Sequence, residues 1–277
     1  MSTALLGLNG LFGLRGWQVM FIFEAIPTVL IGIVAFFYLT NRPSEARWLT
    51  AEEKSWLDGT LSGERRHIET EHGIGILRSF FDPKVLLLSL NYIGIVTASL
   101  GLLLFLPQII KQLGVSNMQV GWITMIPYIF GAISMVVCGW ISDHVGDRRW
   151  SLFATCLISV VGLVFAGMTV GTWWSLVGII IAAIGFYGTK GPFWSMPTMF
   201  LTGPAAASGI AWINSLGNLG GFFGPTIVGW AKQLTGSFAG GLYALAICAS
   251  VSAVVSLIGL NLPGRVRPPE AATIPAQ

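Results

Sequence analysis

The sequence predicts an all-α, polytopic membrane protein with seven transmembrane helices. Three observations carry that prediction. First, 54% of the 277 residues are hydrophobic and only 10% are charged, against about 25% charged in soluble domains, and the mean hydropathy is +0.75. Such a chain lacks the polar surface that water demands. Second, apolar runs fall near 17–39, 85–107, 118–141, 151–171, 173–200, 205–231 and 239–262. Each reaches the ~20 residues that cross a bilayer, and each ends at a charge, a Pro/Gly cluster or a short polar loop, as helices in lipid must because their backbone is paired internally. Third, 15 of the 27 charged residues are gathered between Thr40 and Lys84. A soluble enzyme and a disordered chain are excluded, and a net charge of only +3 excludes a nucleic-acid binder.

The first run follows a lone basic residue, Arg15, with no basic n-region, so it reads as a span rather than a signal peptide. It carries Glu24, three residues before Pro27. A carboxylate there either packs against a local partner or takes part in proton coupling. Residues 40–84 read as a hydrophilic loop with one or two short surface helices. Thr50-Ala51-Glu52-Glu53 fits a capping box with Thr50 as N-cap. Trp48, Trp56 and Leu57 supply an apolar edge, to lie on the membrane face or to dock a partner.

The second span holds Asn91 and Tyr92 and the third holds Tyr128. These polar groups line a cavity, sit at the interface or hydrogen-bond between helices. The fifth span contains Tyr187-Gly188-Thr189-Lys190-Gly191-Pro192-Phe193-Trp194-Ser195. Gly188, Gly191 and Pro192 are expected to loosen the helix and free backbone groups toward a cavity. Tyr187, Lys190 and Trp194 follow i, i+3, i+7 and share a face. A charge in a span costs at least about 2.5–3.5 kcal/mol. Lys190 therefore recognises an anion, forms a structural ion pair or snorkels to the cytoplasmic surface. In the sixth span Asn214 and Asn218 lie four apart on one face, to bond a neighbouring helix or a ligand. The overlapping pairs Gly217/Gly221 and Gly220/Gly224 read as close helix packing. The Pro/Ala-rich tail, 263–277, is expected to be disordered. Cys138, Cys156 and Cys248 stand alone in apolar runs, without C-x-x-C or metal-spaced His. They read as packing residues, and no metal or cofactor is expected.

Lys and Arg set the orientation. With the 40–84 loop cytoplasmic, eleven basic residues lie inside and only Arg15, Lys111 and Lys232 outside, a clear positive-inside bias. The N-terminus is then outside and the C-terminus inside. One span precedes the polar loop and six follow it. That division (1–39, 40–84, 85–262, 263–277) reads as the last helix of one six-helix half, an inter-half loop, a complete second half and a tail.

Between the third and fourth spans lies Gly139-Trp140-Ile141-Ser142-Asp143-His144-Val145-Gly146-Asp147-Arg148-Arg149. Gly146 permits a tight turn. Asp143 can cap a helix N-terminus and pair with Arg148 or Arg149. The stretch serves as a topology-enforcing charged loop or as a gate. It resembles the G-x-x-x-D-[RK]-x-G-[RK]-[RK] loop of the major facilitator superfamily, with His144 and Asp147 replacing basic residues. Further stretches are Gly16-Trp17-Gln18-Val19-Met20-Phe21-Ile22-Phe23-Glu24-Ala25-Ile26-Pro27, Phe105-Leu106-Pro107-Gln108-Ile109-Ile110-Lys111 and Ile213-Asn214-Ser215-Leu216-Gly217-Asn218-Leu219-Gly220-Gly221-Phe222-Phe223-Gly224-Pro225. Together they resemble the anion:cation symporter family, in its tartrate, phthalate and sugar-acid permease branch.

The resemblance covers the last helix of the N-terminal half and the whole C-terminal half. It implies a partial major facilitator fold in a bacterial inner membrane, a small organic anion as substrate, and proton coupling. The family's substrate-contacting Trp and Asn fall on Trp194 and Asn214, while a Ser found three residues before that Trp in sugar-acid members is Gly191 here. Its proton-linked residues belong to the N-terminal half, so this chain is expected not to transport alone. A truncated, non-transporting membrane subunit or pseudogene product is the alternative. An intramembrane enzyme is not expected: there is no H-E-x-x-H, no intramembrane aspartate pair and no Ser/His dyad, and His67, His72 and His144 lie in polar loops. A channel would show charge rings or a repeated pore loop, and neither is visible.

Overall fold

The structure, a computed structural model, describes residues 8, 10–40, 43–46, 48–72, 76–201 and 203–259. The 263–277 tail, Arg42 and Arg47 lie outside them. The chain divides into two compact units, Met1–His67 and Ile68–Gln277, a boundary that falls within the polar loop.

In the first unit, α1 (Gly16–Tyr38) starts where the Gln18 side chain accepts from the Arg15 N–H at 2.9 Å. Its apolar residues are exposed almost all round, as suits a helix hydrophobic on every face. Tyr38 at its end stacks on Trp48, ring centroids 5.7 Å apart, giving that tryptophan a partner within the unit. Thr50 then opens α2 (Ala51–His72) as expected: its N–H donates to Glu53 at 2.8 Å and its hydroxyl accepts from the Glu53 N–H at 3.3 Å. The Thr50 N–H and the Thr50 hydroxyl, which donates to the same carboxylate at 2.9 Å, hold the Glu53 carboxyl below its ordinary range. The loop expected to hold one or two short helices thus holds this 22-residue helix, with a 3-10 turn at Pro43–Glu45 before it and a five-residue helix, Ile76–Phe80, after it.

The second unit begins with α3 (Ile76–Phe80) and is built on α4 (Pro83–Lys111), whose first turn is capped by Asp82 accepting from the Lys84 N–H at 2.8 Å. Around it come α5 (Asn117–Val145), α6 (Arg148–Met168), α7 (Trp174–Gly188), the short α8 (Lys190–Ser195), α9 (Gly203–Asn218), α10 (Gly220–Thr235) and α11 (Ala239–Gly259). Helix α4 packs on α9, α10 and α11; α6 packs on α7 and α11; α5 packs on α7 and α8. Two apolar clusters form the interior. One runs from Ala98 to Ile110 on α4 across to Leu163, Phe186 and Leu245. The other joins Val85 to Val96 with Leu152, Phe193, Phe200 and Ile213.

Among the described residues six helices are long and apolar enough to cross a membrane, the 174–199 stretch counted as one. The expected 205–231 span is not a single helix. It is divided at Leu219 into α9 and α10, of 16 residues each, about 24 Å apiece and individually short for a ~30 Å hydrocarbon core. Together they match α4 residue for residue. Gly209 lies near Val85, Gly217 meets Tyr92, Gly220 meets Ile93 and Gly229 lies near Phe105. The pair thus runs parallel to α4 along its length and traverses the same thickness. Pro225 lies inside α10, and at the break itself four glycines between 217 and 224 weaken the helix. They also allow close approach. A Cβ on Gly220 would sit 2.6 Å from the Ile93 carbonyl oxygen.

Candidate functional site

Beside the first apolar cluster, α4, α5, α7 and α8 line a half-open cavity of about 180 Å³. Its wall is mostly Leu, Ile, Ala and Phe, with Pro127 and Tyr128 from α5, Tyr187 from α7, Ser99 from α4 and Lys190 from α8. The helix carrying Lys190 is interrupted at Thr189, because Pro192 offers no N–H to the Gly188 carbonyl. Thr189 is buried and turns its hydroxyl onto the Phe186 carbonyl at 2.7 Å.

Lys190 is half-buried. Its ammonium stands 5.2 Å from the centre of the Tyr92 ring, a cation–π distance. Among the described residues no carboxylate lies within ion-pair reach of it, and it is the one basic side chain of the cavity wall. Tyr92 is itself held by stacking on Phe193, centroids 4.9 Å apart, and by the edge of Trp194 at 5.1 Å. Gly217 of α9 makes room for that ring, since a Cβ there would come within 2.8 Å of its Cε1. Tyr128 and Tyr187 meet edge to face with centroids 6.3 Å apart. The result, among the described residues, is an ammonium without a carboxylate partner on the wall of a mostly apolar space. Among the described residues no group of three His, Cys, Asp or Glu side chains is placed to hold a metal.

The structure brings Tyr128, Tyr187 and Lys190 to the cavity and Tyr92 to its edge. Trp194 is not among the residues that line it, although on α8 it packs against the same Tyr92 ring that Lys190 faces. Asn91 is wholly buried elsewhere: its Nδ2 donates to the Ser252 carbonyl at 2.7 Å and to the Ser256 hydroxyl at 2.9 Å, tying α4 to α11. Asn214 and Asn218 are on an exposed face of α9 and bond each other at 3.2 Å. Glu24 belongs to α1 in the other unit, at an exposed position.

The charged loop differs from expectation in one respect. Asp143 caps no helix, being in the last turn of α5, which ends at Gly146 in the left-handed conformation with φ 75°. The residue directly before α6 is Asp147, and it does the capping, accepting from the Arg149 N–H at 3.0 Å and the Trp150 N–H at 3.4 Å. Asp143 does pair with Arg148, at 3.0 Å, while Arg149 lies 5.8 Å from the Trp150 ring. Arg148 also donates to the Ser195 hydroxyl, a contact that spacing could not foresee across 47 residues. Ser195 closes the six-residue helix that Lys190 opens.

The family model of the Major Facilitator Superfamily matches residues 2–225. The chain is 45% identical over 258 residues, 93% of its length, to an Agrobacterium vitis protein named as a tartrate transporter. It is 36% identical over 264 residues, 95% of its length, to a quinolone resistance transporter of Acinetobacter baumannii, and 33% identical over 257 residues, 92% of its length, to an inner membrane transport protein of Escherichia coli strain K12. It spans 59% of the length of each of these three relatives. Matched along four-fifths of its residues and folded into membrane-length helices, this multi-pass membrane protein belongs to the major facilitator superfamily.

Proposed function

We propose that the chain supplies the anion-holding half of a secondary transporter for a small organic carboxylate, worked by alternating access and coupled to protons. The observation that supports this most is Lys190, which among the described residues has no carboxylate partner and stands on the wall of a mostly apolar cavity. A charge kept in a membrane interior usually serves a pathway or a ligand, and an anion arriving there restores the missing partner. The names of the relatives, for tartrate among others, point to the same ligand class. In this reading the 40–84 loop and the C-terminus face the cytoplasm of a bacterial inner membrane, because the basic residues gather there. The N-terminal half of a full-length relative completes the pathway.

A panel of carboxylates paired with their uncharged amides tests the reading. Thermal unfolding of the purified chain in detergent is expected to shift upward with at least one acid and not with its amide, because a ligand that binds only the folded state stabilises it. A panel in which no acid stabilises the chain beyond its amide sinks the proposal. Reconstituted alone in liposomes, the chain is expected to show no proton-driven uptake. Robust flux would contradict the assignment of half the pathway to another segment.

A further inference from the structure

Resting on the proposed carboxylate reading, we infer that Lys111 and Lys232 form a second station for the same anion, at the end of the second unit opposite the charged turn. From Pro83 to Gly259 the acidic residues are Asp143 and Asp147 alone, both beside Gly146. Lys111 closes α4 just before α5 opens at Asn117, so all of α5, 29 residues or about 44 Å, separates it from those carboxylates. Lys232, in the last turn of α10, reaches the same end of α4 and donates to the Gln108 Oε1 at 3.4 Å.

The two lysines belong to one cluster. Gln108 and Lys111 are three apart on α4 and neighbour each other on its surface. Lys111 donates to the Asn117 Oδ1 at 2.6 Å, and the Lys232 ammonium is seated 4.1 Å from the centre of the buried Phe238 ring. Among the described residues neither lysine pairs with a carboxylate. Two amides and a ring orient these ammoniums without cancelling their charge. Each ammonium has three donors, which leaves N–H groups for an incoming anion. Position along α4 then names that anion. Lys190 stands against Tyr92, the cavity takes Ser99 to Leu106, and Lys232 meets Gln108. Cations therefore flank the cavity along α4, at levels sixteen residues or roughly 24 Å apart. A line of one sign concentrates the ligand of opposite sign, here the carboxylate that Lys190 takes; a lipid phosphate would need no such alignment.

The five lysines of the 277-residue chain make the test direct. With 13C at each lysine Cε, the chain in neutral detergent is titrated with tartrate at constant ionic strength, and with tartaric diamide as the uncharged control. The Lys111 and Lys232 signals are expected to move together with one midpoint, while Lys54 and Lys84 stay and the diamide moves none. Lys232→Gln should weaken the Lys111 response about two- to fivefold, as the loss of one exposed ion pair implies, and Lys232→Arg should keep it, with thermal unfolding as the control for folding. Movement of this pair while Lys190 stays supports the second station and counts against the inner site. Lys190 moving alone, no movement at all, equal shifts with the diamide, or unrelated midpoints at Lys111 and Lys232 overturn the second station. So does a tartrate response that phosphatidylglycerol added to the micelle abolishes, which would give the pair to lipid headgroups.

Discussion

Replacing Lys190 with glutamine is expected to weaken carboxylate binding by roughly 10- to 100-fold and to leave the folded chain intact. The size follows from the loss of one charge-assisted hydrogen bond, worth about 1.5–3 kcal/mol, at 1.4 kcal/mol per tenfold. Folding should tolerate the change because no carboxylate is orphaned when the ammonium goes. What is lost in the free chain is the 5.2 Å contact with the Tyr92 ring, and glutamine keeps most of the side-chain volume beside it. Titration of the variant, with a thermal unfolding curve as the control for folding, makes the comparison. Equal affinity in the two proteins removes Lys190 from the site.

The second large effect concerns stability. Gly224→Ala is expected to cost about 2–3 kcal/mol, the upper range for overpacking a tight interior, whereas Gly221→Ala should cost under about 1 kcal/mol. A methyl group at Gly224 would meet the backbone of α4, lying 2.8 Å from the Gly101 nitrogen and 3.0 Å from its Cα. Neither atom can rotate away. At Gly221 the nearest atom is a Leu100 methyl at 3.0 Å, the mobile end of a side chain. Thermal unfolding in detergent should separate the two variants by several degrees. Equal losses would mean that the α4–α10 contact is looser than its glycines indicate.

Those two glycines also show what could be read in the sequence. The overlapping four-residue spacing announced close packing, yet spacing alone does not say which pair meets backbone and which meets a side chain. The spans were legible because lipid imposes length and apolarity together, and the Thr50 capping box because it is a local pattern. The division at Leu219 was not, since the run from 205 to 231 is apolar throughout and hydropathy ignores backbone pairing. The glycines at 217, 220, 221 and 224 were the available signal. At the site, Tyr187 and Lys190 stand three residues apart and both line the cavity, a proximity that local spacing can carry. Asn91 was harder to place, because α4 is apolar on nearly every face and its sequence does not reveal which face meets α11. Tyr92 reaches Lys190 only through tertiary packing, across 98 positions of sequence that no periodicity connects.

The contact between Arg148 and Ser195 has a consequence for control. The six residues of α8 form a short rod with the Lys190 ammonium at one end and, at the other, a hydroxyl that accepts from Arg148 of the charged loop. Asp143 holds the same guanidinium, so its two grips, on α5 and on α8, are released or kept together as Arg148 moves. If the loop rearrangement changes anion affinity by some factor, thermodynamic reciprocity requires the bound anion to bias the loop by that same factor. The charged turn at the membrane surface would then report whether the cavity is occupied, as well as respond to forces from outside.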